Sequence, residues 1–245
     1  KSGSTSSSET FHIPPTNKED IMCEKVQKSS ARSRAISVGA MMAAAVLFSA
    51  PFSSPAWAQK TIIDEWDAVK VPPAPKLEPV KVDPKETALL ILDIQNNNCN
   101  SKRRPRCVVS IPKIRGLLAK ARARGMAVIY SLTRSREVGD IRKEVAPRAG
   151  EPSVKASADK FYGTDLETIL KGKGIRTVIL VGTSAHGAVL NTAAGAAARK
   201  LKVVVPVDGM SASAPFAEQY TAWHLVKGPA TRRRMSLTRT GLIRF

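Results

Sequence analysis

Short uninterrupted apolar runs alternate along this chain with longer stretches in which apolar positions recur every three or four residues. The runs TALLILD (87–93), MAVIYSL (126–132), TVILV (177–181) and KVVVPVD (202–208) have the length and composition of strands buried on both faces. Between them, residues 111–124 read as a helix closed by Gly125, and GTDLETILKGKG (163–174) reads as a second helix. Two more helices are predicted at 188–200 and 215–227, and a last strand within RMSLTRTGLIRF (234–245). The stretch from the second strand through Gly150 reads as a polar loop. Strands alternating with helices imply an α/β fold, a mostly parallel sheet with helices on both faces. Ligands in such sheets bind beyond the carboxyl ends of the strands. Asp93, residues 131–134 and residues 182–188 stand at three of those ends and are expected to share one crevice.

The N-terminal part does not belong to this pattern. Residues 1–34 are polar and serine-rich and end in the basic run EKVQKSSARSR, and residues 35–58 carry no charge. A basic region, an apolar segment and an Ala-x-Ala ending at Ala58 predict a secretory signal peptide cut before Gln59, and hence a secreted or periplasmic product. A retained membrane anchor is the competing reading, and Pro51 and Pro55 interrupt the segment it would need, so no stable anchor is expected after cleavage. Residues 59–85 form a proline-rich lead-in unsuited to a central strand, and residues 86–245 form the domain.

Charge and cysteines refine this picture. The chain of 245 residues carries 39 Lys and Arg against 20 Asp and Glu. The basic residues are dispersed apart from clusters at 102–106 and 232–234, and aromatics are only 5%, so few stacking platforms exist and no specific nucleic-acid partner is expected. Cys99 and Cys107 flank the basic loop NSKRRPR, and in an exported chain they are expected to form a disulfide; a metal pair would lack further ligands nearby.

Three segments, TALLILDIQNN, VKASADKFYGTDLETILKGKGI and VILVGTSAHGAVLNTAAGAAARKLKVVVPVDGMSA, resemble in order and spacing the isochorismatase-like (cysteine hydrolase) superfamily. The likeness spans roughly residues 86–245. It implies a three-layer αβα fold whose pocket holds an aspartate, a lysine and a cysteine. Asp93 falls at the aspartate, Lys155, six residues before Phe161, at the lysine, and Ala188 at the cysteine. The resemblance also implies a cis peptide between Thr183 and Ser184, in a turn whose N–H groups face a developing oxyanion.

A methyl group cannot attack a carbonyl, so the thioester route of the amidases is closed to Ala188. The isochorismatase branch is similar in carrying Ala-His in this turn, here Ala185 and His186, with a small residue for the cysteine. Those enzymes cleave a vinyl ether with the aspartate as general acid. The glutamine they place after the second strand is replaced by Thr133 and Arg134. With Thr183, Ser184 and His186, these are the expected substrate-binding residues, and Lys155 and Arg134 suggest an anionic small molecule. The stretch between Tyr130 and Lys155 has no histidine, so neither catalytic zinc nor another cofactor is expected. Self-association into a homo-oligomer is compatible with this reading. Two functions stay open: a hydrolase using Asp93 and Lys155 without a covalent step, and an inactive family member that binds a small molecule or a protein. The plainer alternatives are a loop-capping carboxylate at Asp93 and a solvated surface lysine at Lys155.

Overall fold

In the computed structural model, which describes residues 60–245, the apolar runs form the middle of a parallel sheet. The expected signal peptide and its cleavage point lie outside the described residues. Strands β2 (Thr87–Leu92), β3 (Ala127–Leu132) and β5 (Thr177–Thr183) are buried along nearly their whole length. They are flanked by β4 (Ser153–Lys155) on one side and by β6 (Lys202–Pro206) and β8 (Met235–Thr238) on the other, in the order β4-β3-β2-β5-β6-β8. A two-residue strand, β7 (Met210–Ser211), pairs with the carboxyl end of β5, and every strand pair in this sheet is parallel. The proline-rich lead-in joins a separate small sheet, in which β1 (Val80–Lys81) pairs with β9 (Ile243–Arg244).

Alternation along the strands divides the core in two. Leu89, Ile91, Val128, Tyr130, Ile179 and Val181 face one side, where they meet Ile111, Ile114, Leu117 and Leu118 of helix α2 (Pro105–Ala123). Leu90, Leu92, Val178 and Leu180 face the other. There they meet α3 (Leu166–Gly172), α4 (Leu190–Ala198) and α5 (Pro215–Lys227). Each fully buried Leu or Ile stabilises the fold by about 1.5–3 kcal/mol relative to exposure. A short helix, α1 (Ile62–Glu65), lies within the lead-in and buries nothing. The fold is the expected three-layer α/β arrangement.

Three local differences from the sequence expectation have physical causes. Helix α2 begins six residues before position 111 because Pro105, with no N–H to satisfy, is well suited to a first helical turn. The helix expected at 188–200 is preceded by a wide π-helical turn, Ala185–Val189, and becomes α-helical only from Leu190. Residues 153–155, beyond the polar loop that ends at Gly150 and without an expected element, form the edge strand β4 by pairing with Tyr130, Ser131 and Leu132.

Gly182 sets the spacing where the site is built. It has φ 134° and lies opposite Leu92 in the β2–β5 register. A Cβ there would collide with the Leu92 carbonyl. Gly182→Ala is therefore expected to destabilise the protein by about 3 kcal/mol or more, from strained backbone and overpacking together, read as a lowered urea midpoint.

Candidate active site

The end of β2 turns outward through Asp93, whose φ of 53° lies in the left-handed region that Asp tolerates better than most residues. Its neighbour on β3 is Ser131. Asp93 N donates to Ser131 O at 3.2 Å, and Ser131 Oγ donates to Asp93 Oδ1 at 2.8 Å. The second carboxylate oxygen, Oδ2, accepts from Lys160 Nζ at 2.8 Å. That ammonium also donates to the carbonyls of Ala156 at 3.1 Å and Ser157 at 2.6 Å, so its three protons are all used. The Lys160 backbone N–H donates to Thr192 Oγ1 of α4 at 3.2 Å. Lys160 is 0% exposed and Asp93 4%. Burial pushes the Asp93 carboxyl above the usual aspartate range, although Lys160, Ser131 and Arg104 all pull in the opposite direction.

On the β5 side, the peptide between Thr183 and Ser184 is cis, as the resemblance implies. Thr183 Oγ1 donates to the carbonyl of Ser211 at 3.1 Å, and Ser184 O accepts from the N–H groups of Gly187 and Val189 at 3.1 and 3.2 Å. Ala188 is 5% exposed in the turn that follows, whereas His186 is exposed. Leu92 pairs with both Ser131 and Gly182, so Asp93 emerges between the ends of β3 and β5. Thr133 lies half-buried at the same edge, its N and Oγ1 both donating to Gln95 Oε1 at 3.3 and 3.2 Å. Arg134 is exposed.

One expected site residue is elsewhere. Lys155 does not meet Asp93; it is partly exposed and pairs with Glu137. Its neighbour Val154 turns into the core and pairs in register with Ser131, so the pleat sends Lys155 to the opposite face. Lys160, five residues later in the same loop, makes the contact instead. Sequence reasoning also passed over Ser131 as a ligand of Asp93, and over Gln95. Gln95 is wholly buried, takes three hydrogen bonds on Oε1 and leaves Nε2 without a partner among the described residues. The available signal for Lys160 was its place directly before the buried Phe161. Cys99 and Cys107 are joined by a disulfide, with Cα atoms 5.2 Å apart.

Two sizeable cavities lie away from these residues. One of about 500 Å³ sits by the amino ends of the strands, lined by Thr87, Thr177 and Lys202 among others, and another of about 600 Å³ lies between the lead-in and α5. Chemistry rather than volume marks the Asp93 site, where the carboxyl and its lysine are almost wholly buried. Among the described residues no group of three or more His, Cys, Asp or Glu side chains is arranged to hold a metal ion.

A family model described as the isochorismatase domain matches residues 87–235. The chain is similar to the secreted isochorismatase effector Isc1 of Verticillium dahliae, at 28% identity over 144 residues, covering 54% of this chain and 76% of that protein. Among solved structures it is similar to an isochorismatase family protein from Desulfovibrio vulgaris, with a TM-score of 0.58 and 22% identity, covering 64% of this chain and 95% of that one. It is also similar to the N-carbamoylsarcosine amidase of Thermoplasma acidophilum, with a TM-score of 0.53 and 26% identity, covering 63% and 96%.

Lys160→Met would leave the Asp93 carboxyl buried without its cation. The loss expected at neutral pH is about 3–5 kcal/mol. With the cation gone, the folded-state pKa of Asp93 rises further above its unfolded value. The folded state then binds more protons than the unfolded state in the interval between the two values, and stability falls as pH rises through it. The deficit should therefore shrink as pH is lowered, as checked by urea unfolding of both proteins from acidic to neutral pH.

Proposed function

Because this chain belongs to the isochorismatase family, we propose that it is an exported hydrolase that cleaves a small enol ether of the isochorismate type without a covalent enzyme intermediate. The observation that carries this reading is the Asp93 carboxyl, held on both oxygens by Lys160 and Ser131 and raised in pKa by burial. Ala188, which we read as standing at the family's cysteine position, offers a methyl group where a nucleophile would otherwise be. Export is supported by the signal-like residues 35–58 and by the similarity to a protein named as a secreted effector.

The chemistry needs an acid and water. Protonated Asp93 gives its proton to the terminal vinyl carbon, and positive charge develops at the ether-bearing carbon. Water adds there and loses a proton, which restores the acid. The hemiketal then collapses with cleavage of its C–O bond, yielding an alcohol and a ketone; for an enolpyruvyl ether the ketone is pyruvate. Lys160 stays an ammonium throughout, because its protons are spent on Asp93 and two carbonyls. Its part is to fix the carboxyl's direction, and that of Ser131 is to follow the carboxyl's change of protonation by rotating its hydroxyl.

A second reading, a binding module that turns nothing over, is favoured by the burial of the Asp93–Lys160 pair, which resembles a structural ion pair. Such a module would be stabilised by a ligand recovered chemically unchanged.

The test is pyruvate release from isochorismate. Asp93→Asn, similar in size, should lower kcat by roughly 10²- to 10⁴-fold. Because the protonated form donates, wild-type kcat should fall as pH rises through the raised Asp93 pKa, and the residual activity of Asp93→Asn should lack that limb. Unchanged activity in Asp93→Asn would remove Asp93 as the acid.

A further inference from the structure

The loop 99–107 contains no acidic residue and is closed by the disulfide. It is also tightly pinned. Cys99 N donates to Gln95 O at 2.8 Å, and Arg142 Nη1 donates to Cys99 O at 2.9 Å. Asn100 Oδ1 accepts from the backbone N–H groups of Lys102 and Arg103 at 3.1 and 2.8 Å. Asn100 Nδ2 donates to the carbonyls of Asn96 and Asn97 at 2.9 and 3.2 Å. At the far end, Arg106 Nε donates to Glu218 Oε1 of α5 at 2.8 Å. The loop is thus rooted on Gln95, two residues beyond Asp93.

Arg104 precedes the first residue of α2 and is half-buried. Its guanidinium makes no hydrogen bond and no ion pair among the described residues. It lies within electrostatic reach of Asp93, which favours its charge, and of Arg103, which opposes it; burial is the stronger influence and lowers its pKa. Asp93 is already paired with Lys160, and Arg106 with Glu218. Arg104 is therefore a surplus, partly desolvated cation near a carboxyl that Lys160 already occupies. Burying such a charge is unfavourable until a counter-ion arrives. A guanidinium also matches a carboxylate in a two-pronged geometry that a lysine cannot reproduce.

We propose that Arg104 is a specificity-determining residue of the Asp93 site, binding a carboxylate of the small molecule, and that the disulfide-closed loop exists to hold it there. The positive charge expected from Lys155 and Arg134 comes from Arg104 instead, since Lys155 is paired with Glu137 and Arg134 is exposed. Arg104 takes this role only at the site proposed above for an enol ether, and the substrate class narrows to carboxylated enol ethers.

The test compares wild type with Arg104→Gln and Arg104→Lys, each confirmed as folded by circular dichroism. For isochorismate, KM should rise at least tenfold in Arg104→Gln while kcat stays within about twofold, the pattern of lost ground-state binding, and Arg104→Lys should recover part of the loss. Equilibrium titration with chorismate, a dicarboxylate enol ether, gives a readout without turnover: binding by wild type should weaken at least tenfold in Arg104→Gln, and the neutral dimethyl ester should not distinguish the two. Turnover with an unchanged KM in Arg104→Gln overturns the role of Arg104 and leaves the hydrolase reading standing. Absence of turnover with Arg104-dependent chorismate binding does the reverse. If wild type neither turns over isochorismate nor binds chorismate, both are overturned.

Discussion

A lysine ammonium buried completely against one aspartate holds together the carboxyl ends of this sheet. Lys160 ties the end of β2 to the loop after β4 through Asp93 and the carbonyls of Ala156 and Ser157, and its backbone N–H ties that loop to Thr192 on α4. Taking two such charges out of water costs several kcal/mol per ion, and the cost is offset only if each proton and lone pair finds a partner at good geometry. That demand fixes three separate segments relative to one another. It is also why Ser131 must present its hydroxyl to the other oxygen of Asp93.

The same burial gives the site its chemical character. Desolvation acts against the ionised carboxyl, and the partners that favour ionisation do not fully cancel it, so Asp93 sits above the usual range of an aspartate. A carboxyl in that condition suits proton donation better than attack. The turn after β5 fits this reading by offering Ala185 and Ala188, side chains without acid, base or nucleophile. Small residues continue along α4, where Ala193 and Ala196 let the helix pack close to the strands.

Charge balance links this interior to the basic loop above it. Within the loop, Arg106 has a carboxylate partner while Arg104 has none among the described residues, although both are arginines two positions apart. Helix α2 starts between them, at Pro105; Arg106 reaches Glu218 of α5, whereas Arg104 is within electrostatic reach of Asp93. A high overall positive charge would not by itself have pointed to a ligand. One cation without a partner among the described residues, near an acid already paired with Lys160, does.

Much of this was legible in the residues alone, wherever the physics is local. The buried strands announce themselves as continuous apolar runs, and α5 at Pro215–Lys227 begins and ends where proline and glycine place it. Asp93 could be assigned to a strand end because the last residue of a run is a local property, and the Cys99–Cys107 bridge could be expected because the two lie eight residues apart with no competing cysteine in the domain. What local pattern could not decide was which lysine of 155 and 160 enters the core. That depends on β4 pairing with Tyr130, Ser131 and Leu132, a contact between segments more than twenty residues apart, which turns Val154 inward and Lys155 out. The amide of Gln95 and the guanidinium of Arg104, both without a partner among the described residues, were hidden for a related reason, since whether a polar group has a partner is set by the neighbours that folding brings to it. Sequence alone determined the central strands, most of the helices and the acid at the strand end; tertiary pairing decided the edge strand β4 and which cations reach that acid, because side-chain direction in a sheet follows from register and register is made between segments, not within them.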